Sequence, residues 1–287
     1  MLGRWFARLI DAQAAWARPF GDFNHRWLSA LWRPMRPIKD LLHGTWLGHP
    51  LHSAATDLPI GVLGASLVLD VLGQTAAADV AMVLGVLSML AAALPGLADY
   101  TDTDGKARMR ATVHATLMVV ALIVYLVSVI LRTTGPERAV PIILSAIGFV
   151  IITAGAFVGG DVVYVLGNMV SRHAFRGAGT KWIRLVPDDG VDPETMPELR
   201  PAKARLGINT LVLVRSGSTI HALHEQCAHA GGPLSEGKIV EGCIQCPWHG
   251  SRFQLVDGHL RRGPTVYDQP AYEIRKSESG WEGRRVS

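Results

Sequence analysis

Residues 227–249 read C-A-H-A-G-G-P-L-S-E-G-K-I-V-E-G-C-I-Q-C-P-W-H, and this stretch decides the fold of the C-terminal part of the chain. It carries a C-x-H pair, Cys227 and His229, and a C-x-x-H pair, Cys246 and His249, with sixteen residues between the pairs. Two thiolates and two imidazoles delivered as sulfur–nitrogen pairs suit a [2Fe-2S] cluster held asymmetrically. One iron would take Cys227 and Cys246, and the other His229 and His249. Gly231, Gly232 and Pro233 after the first pair, and Gly250 after the second, let the backbone pass close to such a cluster. A Cys2His2 zinc site uses the same donors, but its usual spacing puts the two Cys together and the two His together, whereas here they alternate.

With C-A-H-A-G-G-P-L at 227–234, C-P-W-H-G-S at 246–251, R-G-P at 262–264 and Pro270 beyond, the chain from about residue 180 onward resembles the Rieske family. The resemblance implies a [2Fe-2S] cluster on the four residues named above and a role in electron transfer. Some Rieske proteins carry a disulfide between the two cluster loops. The positions that would hold it are Gly232 and Trp248 here, which implies the disulfide-free, ferredoxin-like branch. Ser251 keeps a hydroxyl for a bridging sulfide, while Phe253 stands where high-potential members use Tyr. With fewer donors to the sulfurs, the expected potential lies toward the low end of the Rieske range. Cys243 reads as a partly buried strand residue, not a fifth ligand.

Around the cluster stretch the pattern is strand-like. Runs at 210–215 and 219–224 flank a Ser216-Gly217 turn, and runs at 253–256 and 259–261 flank Asp257-Gly258. Further runs at 272–276 and 280–285 complete a small antiparallel β-sandwich over 205–287, with the cluster at a loop tip and the His ligands facing a partner. His221 and His224, on a strand, read as solvent or core histidines. The segment 171–204, basic at 171–180 and rich in Pro, Asp and Glu at 186–201, reads as a linker leading into this domain.

Further outward, the composition is too apolar for an ordinary soluble protein. Of 287 residues 49% are hydrophobic and 18% charged, with a mean hydropathy of +0.23. Apolar residues crowd into four segments, 54–72, 76–98, 111–131 and 140–166, each near the twenty residues a helix needs to cross a bilayer. Gly61, Gly64, Ala65, Gly85, Gly155, Gly159 and Gly160 are small residues suited to close helix contact in lipid. Short connections at 73–74, 99–110 and 132–139 make an antiparallel bundle the simple arrangement. The fold class is therefore a membrane α-helical bundle of four transmembrane helices, at 49–170, plus a C-terminal all-β domain. H-P-L-H at 49–52, T-D-L-P-I-G at 56–61, P-G-L-A-D-Y at 95–100 and His114 resemble a family of uncharacterised four-helix bacterial membrane proteins over about 45–165, which implies topology alone.

Residues 1–48 do not read as a signal peptide, because Arg4, Arg8 and Asp11 interrupt any apolar core. Their mixture of Trp, Phe, Leu and Arg suits an amphipathic segment lying at the bilayer interface, or else an arm packed on the helices. Lys and Arg concentrate before the first span, in the second loop (Lys106, Arg108, Arg110) and after the fourth span (Arg172, Arg176, Lys181, Arg184). The opposite side has Arg132 and Arg138. This asymmetry places both termini and the β-domain in the cytoplasm of a bacterial-type inner membrane. Because the basic residues sit beside hydrophobic segments, a lipid bilayer is the expected partner and nucleic acid is not.

Polar residues within the helical part give a second signal. His49, His52, Asp57, Asp99, His114 and His173 all fall at one end by alternating topology. His52 and His114 could be the two axial ligands of a haem b in the bundle. The plainer reading has His49 and His52 at the wet interface and His114 bonded to a neighbouring Asp. Asp70, at the far end of the first span, reads as interfacial. The expected function is a membrane-anchored electron carrier whose cluster faces the cytoplasm and exchanges electrons with a redox protein, and with a haem or quinone at the bundle. One alternative is a ferredoxin-type partner of an oxygenase or reductase, with the helices only as anchor. A second is a redox sensor. An oxygenase itself would need a sizeable soluble domain with two His and a carboxylate, which the sequence does not contain. No Gly-rich dinucleotide loop follows a strand, so direct NAD(P)H binding is not expected.

Overall fold

A computed structural model describes residues 2–135, 137–174, 180–188, 190 and 192–286, with side chains from Trp5 onward. The side chain of Arg4 and the stretch 175–179 of the basic linker, including Arg176, lie outside the described residues. The chain divides into two compact units. One comprises Met1–Leu42 with Pro50–Asn168, and the other His43–His49 with Met169–Ser287.

The first unit is helical. Helices α1 (Leu2–Asp11), α2 (Ala14–Trp32) and α3 (Arg36–His43) precede α4 (Leu51–Ala55), α5 (Asp57–Val71), α6 (Thr75–Tyr100), α7 (Gly105–Thr134) and α8 (Ala139–Gly160). A π-helical turn, Asp161–Val165, extends α8. Four segments, Leu51–Val71, Thr75–Tyr100, Gly105–Thr134 and Ala139–Val165, are long and apolar enough to cross a membrane. Several exceed their apolar stretches because a helix continues through charged residues whose charges are paired. The expected connection at 99–110 shrinks to 101–104, since Lys106, Arg108 and Arg110 lie on the first turns of α7 and bind Asp11, Asp22 and Asp161.

The bundle core holds Leu63, Met82, Val86, Met89, Ala121 and Ile152. Gly85 lets α5 and α6 approach: a Cβ there would stand 2.5 Å from Leu63. Gly61, grouped with such contact positions above, instead meets open space. No more than 33% of each apolar window is buried, and Val71, Leu84, Leu87, Ile130, Ile143 and Val150 point outward. An outward apolar belt on every helix suits lipid as the surrounding solvent. The first three helices are amphipathic. Ile10 and Ala17 pack with Met109, Val113 and Val158, and Leu28 and Trp32 pack with Ala98 and Tyr100. Trp5, Trp16, Phe20, Phe23 and Trp27 stay exposed on the other side.

Asp70, read as interfacial, lies at the end of α5 but is buried in protein. Its side chain is 0% exposed and is held bidentately by Arg132, itself 2% exposed. Asp79 and Arg138 complete the network at 2.7 and 2.8 Å. Hydropathy sees each charge alone, whereas four helix ends bring opposite charges together here.

The second unit carries the strands. β1 (Ile183–Pro187), β2 (Ala202–Leu206), β3 (Asn209–Ser216), β4 (Thr219–His224), β9 (Ala271–Ser277) and β10 (Gly280–Arg285) form a closed barrel in the order β1-β10-β9-β4-β3-β2. β5 (Lys238–Val240), β6 (Cys243–Gln245), β7 (Arg252–Gln254) and β8 (Leu260–Arg262) form a separate four-stranded antiparallel sheet. The expected sandwich is thus a barrel with an inserted meander. β1 and β2, from the stretch read as linker, link β3 to β10 and close it. Their turn-rich surroundings mask two strands of five residues each. β3 is buried on both faces. Leu211 and Leu213 pack with Leu185, Ala204 and Leu206 of the barrel, while Val212 and Val214 pack with Ile244 and Phe253 of the small sheet.

Candidate metal centre

The two expected ligand loops have the same backbone. In the first, Cys227 N–H donates to Gly232 carbonyl and Gly231 N–H donates to Cys227 carbonyl, both at 2.9 Å. In the second, Cys246 N–H donates to Ser251 carbonyl at 2.8 Å and Gly250 N–H to Cys246 carbonyl at 3.2 Å. Each turn is completed by a glycine four residues after its Cys, at φ +84° for Gly231 and +82° for Gly250, a left-handed conformation that a Cβ would oppose. Backbone N–H groups point at the sulfurs in matching positions: His229 and Ala230 toward Cys227, Trp248 and His249 toward Cys246. The sequence shows two Cys-His pairs; the structure shows two copies of one turn.

These turns converge the donors by kind. The Cys227 and Cys246 sulfurs lie within hydrogen-bonding reach. The hydrogen bond from Cys227 lowers the Cys246 thiol to about 7, while the same contact and burial push Cys227 well above its ordinary value. His229 Nδ1 and His249 Nδ1 stand 3.2 Å apart. Sulfur meets sulfur and nitrogen meets nitrogen, the division an asymmetric diiron cluster requires. The paired sulfurs and paired nitrogens therefore fit a [2Fe-2S] cluster.

The surroundings brace the first loop. Gln269, 0% exposed, accepts from Ala228 N–H at 2.9 Å and donates to the carbonyls of His224 and Gln226 at 2.6 and 2.7 Å. Sequence reasoning missed Gln269, since only its position beside Pro270 hinted at it. His173 Nε2 donates to Gln226 carbonyl at 2.9 Å, its ring 4.5 Å from that of His224. His224 is a core residue and His221 a half-buried one. Glu225 accepts from Ser235 N–H and hydroxyl, and burial raises its carboxyl. Gly232 leaves no room for a larger residue: a Cβ would lie 2.9 Å from Cys246 Sγ and 3.0 Å from the Trp248 ring. Ser251 and Phe253 are fully buried, and Cys243 is buried on β6. His229 is 4% exposed. The open edge is His249, with the 54% exposed Trp248 beside it.

Of the polar residues placed at one end of the helices, His49 and His173 fall in the second unit. Within the helical unit, His52 and His114 come together with ring centroids 6.1 Å apart. His114 bonds the Gly155 carbonyl and not a neighbouring Asp.

Residues 182–273 match the Rieske [2Fe-2S] domain family, and residues 48–172 match a family described as predicted membrane protein (DUF2231). The anthranilate 1,2-dioxygenase ferredoxin subunit of Burkholderia cepacia is 30% identical over 89 residues, 31% of this chain and 81% of that protein. Apoptosis-inducing factor 3 of Mus musculus is 32% identical over 73 residues, 25% of this chain; the match spans only 12% of that relative's length. The ferredoxin of carbazole 1,9a-dioxygenase from Nocardioides aromaticivorans IC177 is 23% identical, covers 37% of this chain and 97% of its own, and superposes at a TM-score of 0.31. Twin cysteine turns, donors sorted by element and a match over most of a ferredoxin subunit agree: the chain belongs to the Rieske [2Fe-2S] family, here fused to a domain of the DUF2231 membrane-protein type.

Proposed function

We propose that the protein is a membrane-anchored one-electron carrier, with its cluster domain on the cytoplasmic side of a bacterial-type inner membrane. The sorted donor set on twin turns is the observation that carries this reading. A cluster bound there supplies reversible one-electron transfer. Cys227 and Cys246 would hold one iron and His229 and His249 the other. The four N–H groups aimed at the two sulfurs offset thiolate charge. Phe253, buried without a hydroxyl, leaves Ser251 as the hydroxyl donor of this loop and favours a potential low in the Rieske range. A redox protein docks at the Trp248–His249 edge, and a quinone in the bilayer is the counterpart at the membrane. The basic side of the helices supports the cytoplasmic placement.

The test is an EPR and optical spectrum of the detergent-purified protein, oxidised and dithionite-reduced, followed by redox titration. A Rieske-type signal lost in Cys246→Ser and in His249→Ala is expected, with a midpoint well below zero; zinc in place of iron, or a clearly positive midpoint, would contradict the cluster or the potential respectively. The ferredoxin subunit among the relatives favours a second reading, a partner of an oxygenase with the helices only as anchor. Oxidation of the reduced protein by a short-chain quinone separates the two, since a simple anchor gives no saturable rate.

A further inference from the structure

We propose that His52 and His114 are the two axial ligands of a haem bound within the helical unit. His52 stands on α4 and His114 on α7, with ring centroids 6.1 Å apart and planes at 73°. His52 Nδ1 lies 2.9 Å from Ala92 carbonyl on α6, and His114 Nδ1 lies 2.8 Å from Gly155 carbonyl on α8. A carbonyl only accepts, so each Nδ1 carries the hydrogen and each neutral ring keeps its lone pair on Nε2. That is the tautomer of a metal-bound imidazole braced by a backbone carbonyl. Neither Nε2 has a hydrogen-bond partner among the described residues.

Two glycines set the rings where they are. A Cβ at Gly96 would fall 2.9 Å from the His52 ring, and one at Gly159 would fall 3.0 Å from the His114 ring. The separation also fits. With metal–nitrogen bonds of about 2.0–2.1 Å, two imidazoles on opposite sides of one metal stand roughly 6 Å apart centre to centre. Donor count then selects the ligand. A bare divalent ion would need further protein donors, and no third His, Cys, Asp or Glu joins the pair among the described residues. A haem iron already has four ring nitrogens and takes just two axial ligands. A quinone carbonyl needs a donor, which an Nε2 lone pair is not.

The test uses the full-length protein in mild detergent, titrated with haemin and read by optical and EPR spectra and by metal analysis. Wild type is expected to bind one haem per chain as a low-spin, bis-imidazole species. His52→Ala and His114→Ala lose that species, while His49→Ala keeps it. His114→Met retains packing and shifts the spectrum and potential upward, as Met replaces an imidazole. The cluster signal, unchanged throughout, reports a folded chain and keeps this result separate from that of the cluster. No spectral shift on haemin addition, a haem signal indifferent to both histidines, or a divalent metal lost with either histidine would each overturn the proposal.

Discussion

Gln269 bridges three backbone groups around the first cysteine turn from a position without solvent, so its loss cannot be made good by water. Gln269→Leu is expected to cost about 2–4 kcal/mol, the price of stranding buried amide groups, and to speed loss of the cluster. Thermal melts and bleaching of the visible bands would show both; an unchanged melt would mean the turn is held otherwise. The glycines of the two turns offer a matched pair. Gly231→Ala and Gly250→Ala force a Cβ into left-handed backbone and are each expected to destabilise by about 1–2 kcal/mol. Similar losses would follow from the shared geometry, and a large difference would not. His221 supplies a pH dependence. Burial lowers its pKa below 6.5, so the unfolded chain takes up the proton first as the medium is acidified. Its contribution is present above about pH 6.5 and is lost as pH falls toward the folded-state value. His221→Gln is therefore expected to flatten the fall of the urea midpoint between about pH 7 and pH 5.

Among elements, the ends of α5, α6, α7 and α8 meet in one ion network, whose members differ sharply in burial. Asp70→Asn leaves Arg132, 2% exposed, short of a charge and is expected to cost about 3–5 kcal/mol. Asp79, 38% exposed, is expected to cost about 1 kcal/mol or less as Asp79→Asn. Calorimetry in detergent would rank the two, and equal effects would mean that water reaches Arg132. At the opposite end, Arg110 reaches Asp11 on α1 and Asp161 after α8, tying the amphipathic helices to the bundle through the first turns of α7. Periodicity shows these helices as amphipathic; it does not say which side meets protein and which is left for lipid. Packing answers that for Ala17 and Leu28, and leaves the aromatic side exposed.

The whole molecule is two units with separate cores, one whose outer belt is apolar and one closed on itself as a barrel. Denaturation should accordingly show two transitions, with Asp70→Asn lowering only the helical one and Gln269→Leu only the other; a single transition shifted by both would contradict independent cores. By itself the sequence determined what rests on spacing and on sums: the two Cys-His pairs that mark the Rieske domain, from residue types at short intervals, and four segments apolar enough to cross a membrane, from hydropathy over some twenty residues. Local spacing suffices there because a tight turn holds its Cys and His close whatever the rest of the chain does. Only the tertiary structure decided what depends on partners remote in sequence. It turned the linker strands β1 and β2 into barrel closures and gave Asp70 its arginines. It also set His52 and His114 against carbonyls on two other helices. The physical reason is the same throughout: a side chain's burial, charge partner and tautomer are settled by neighbours that packing, not sequence distance, brings to it.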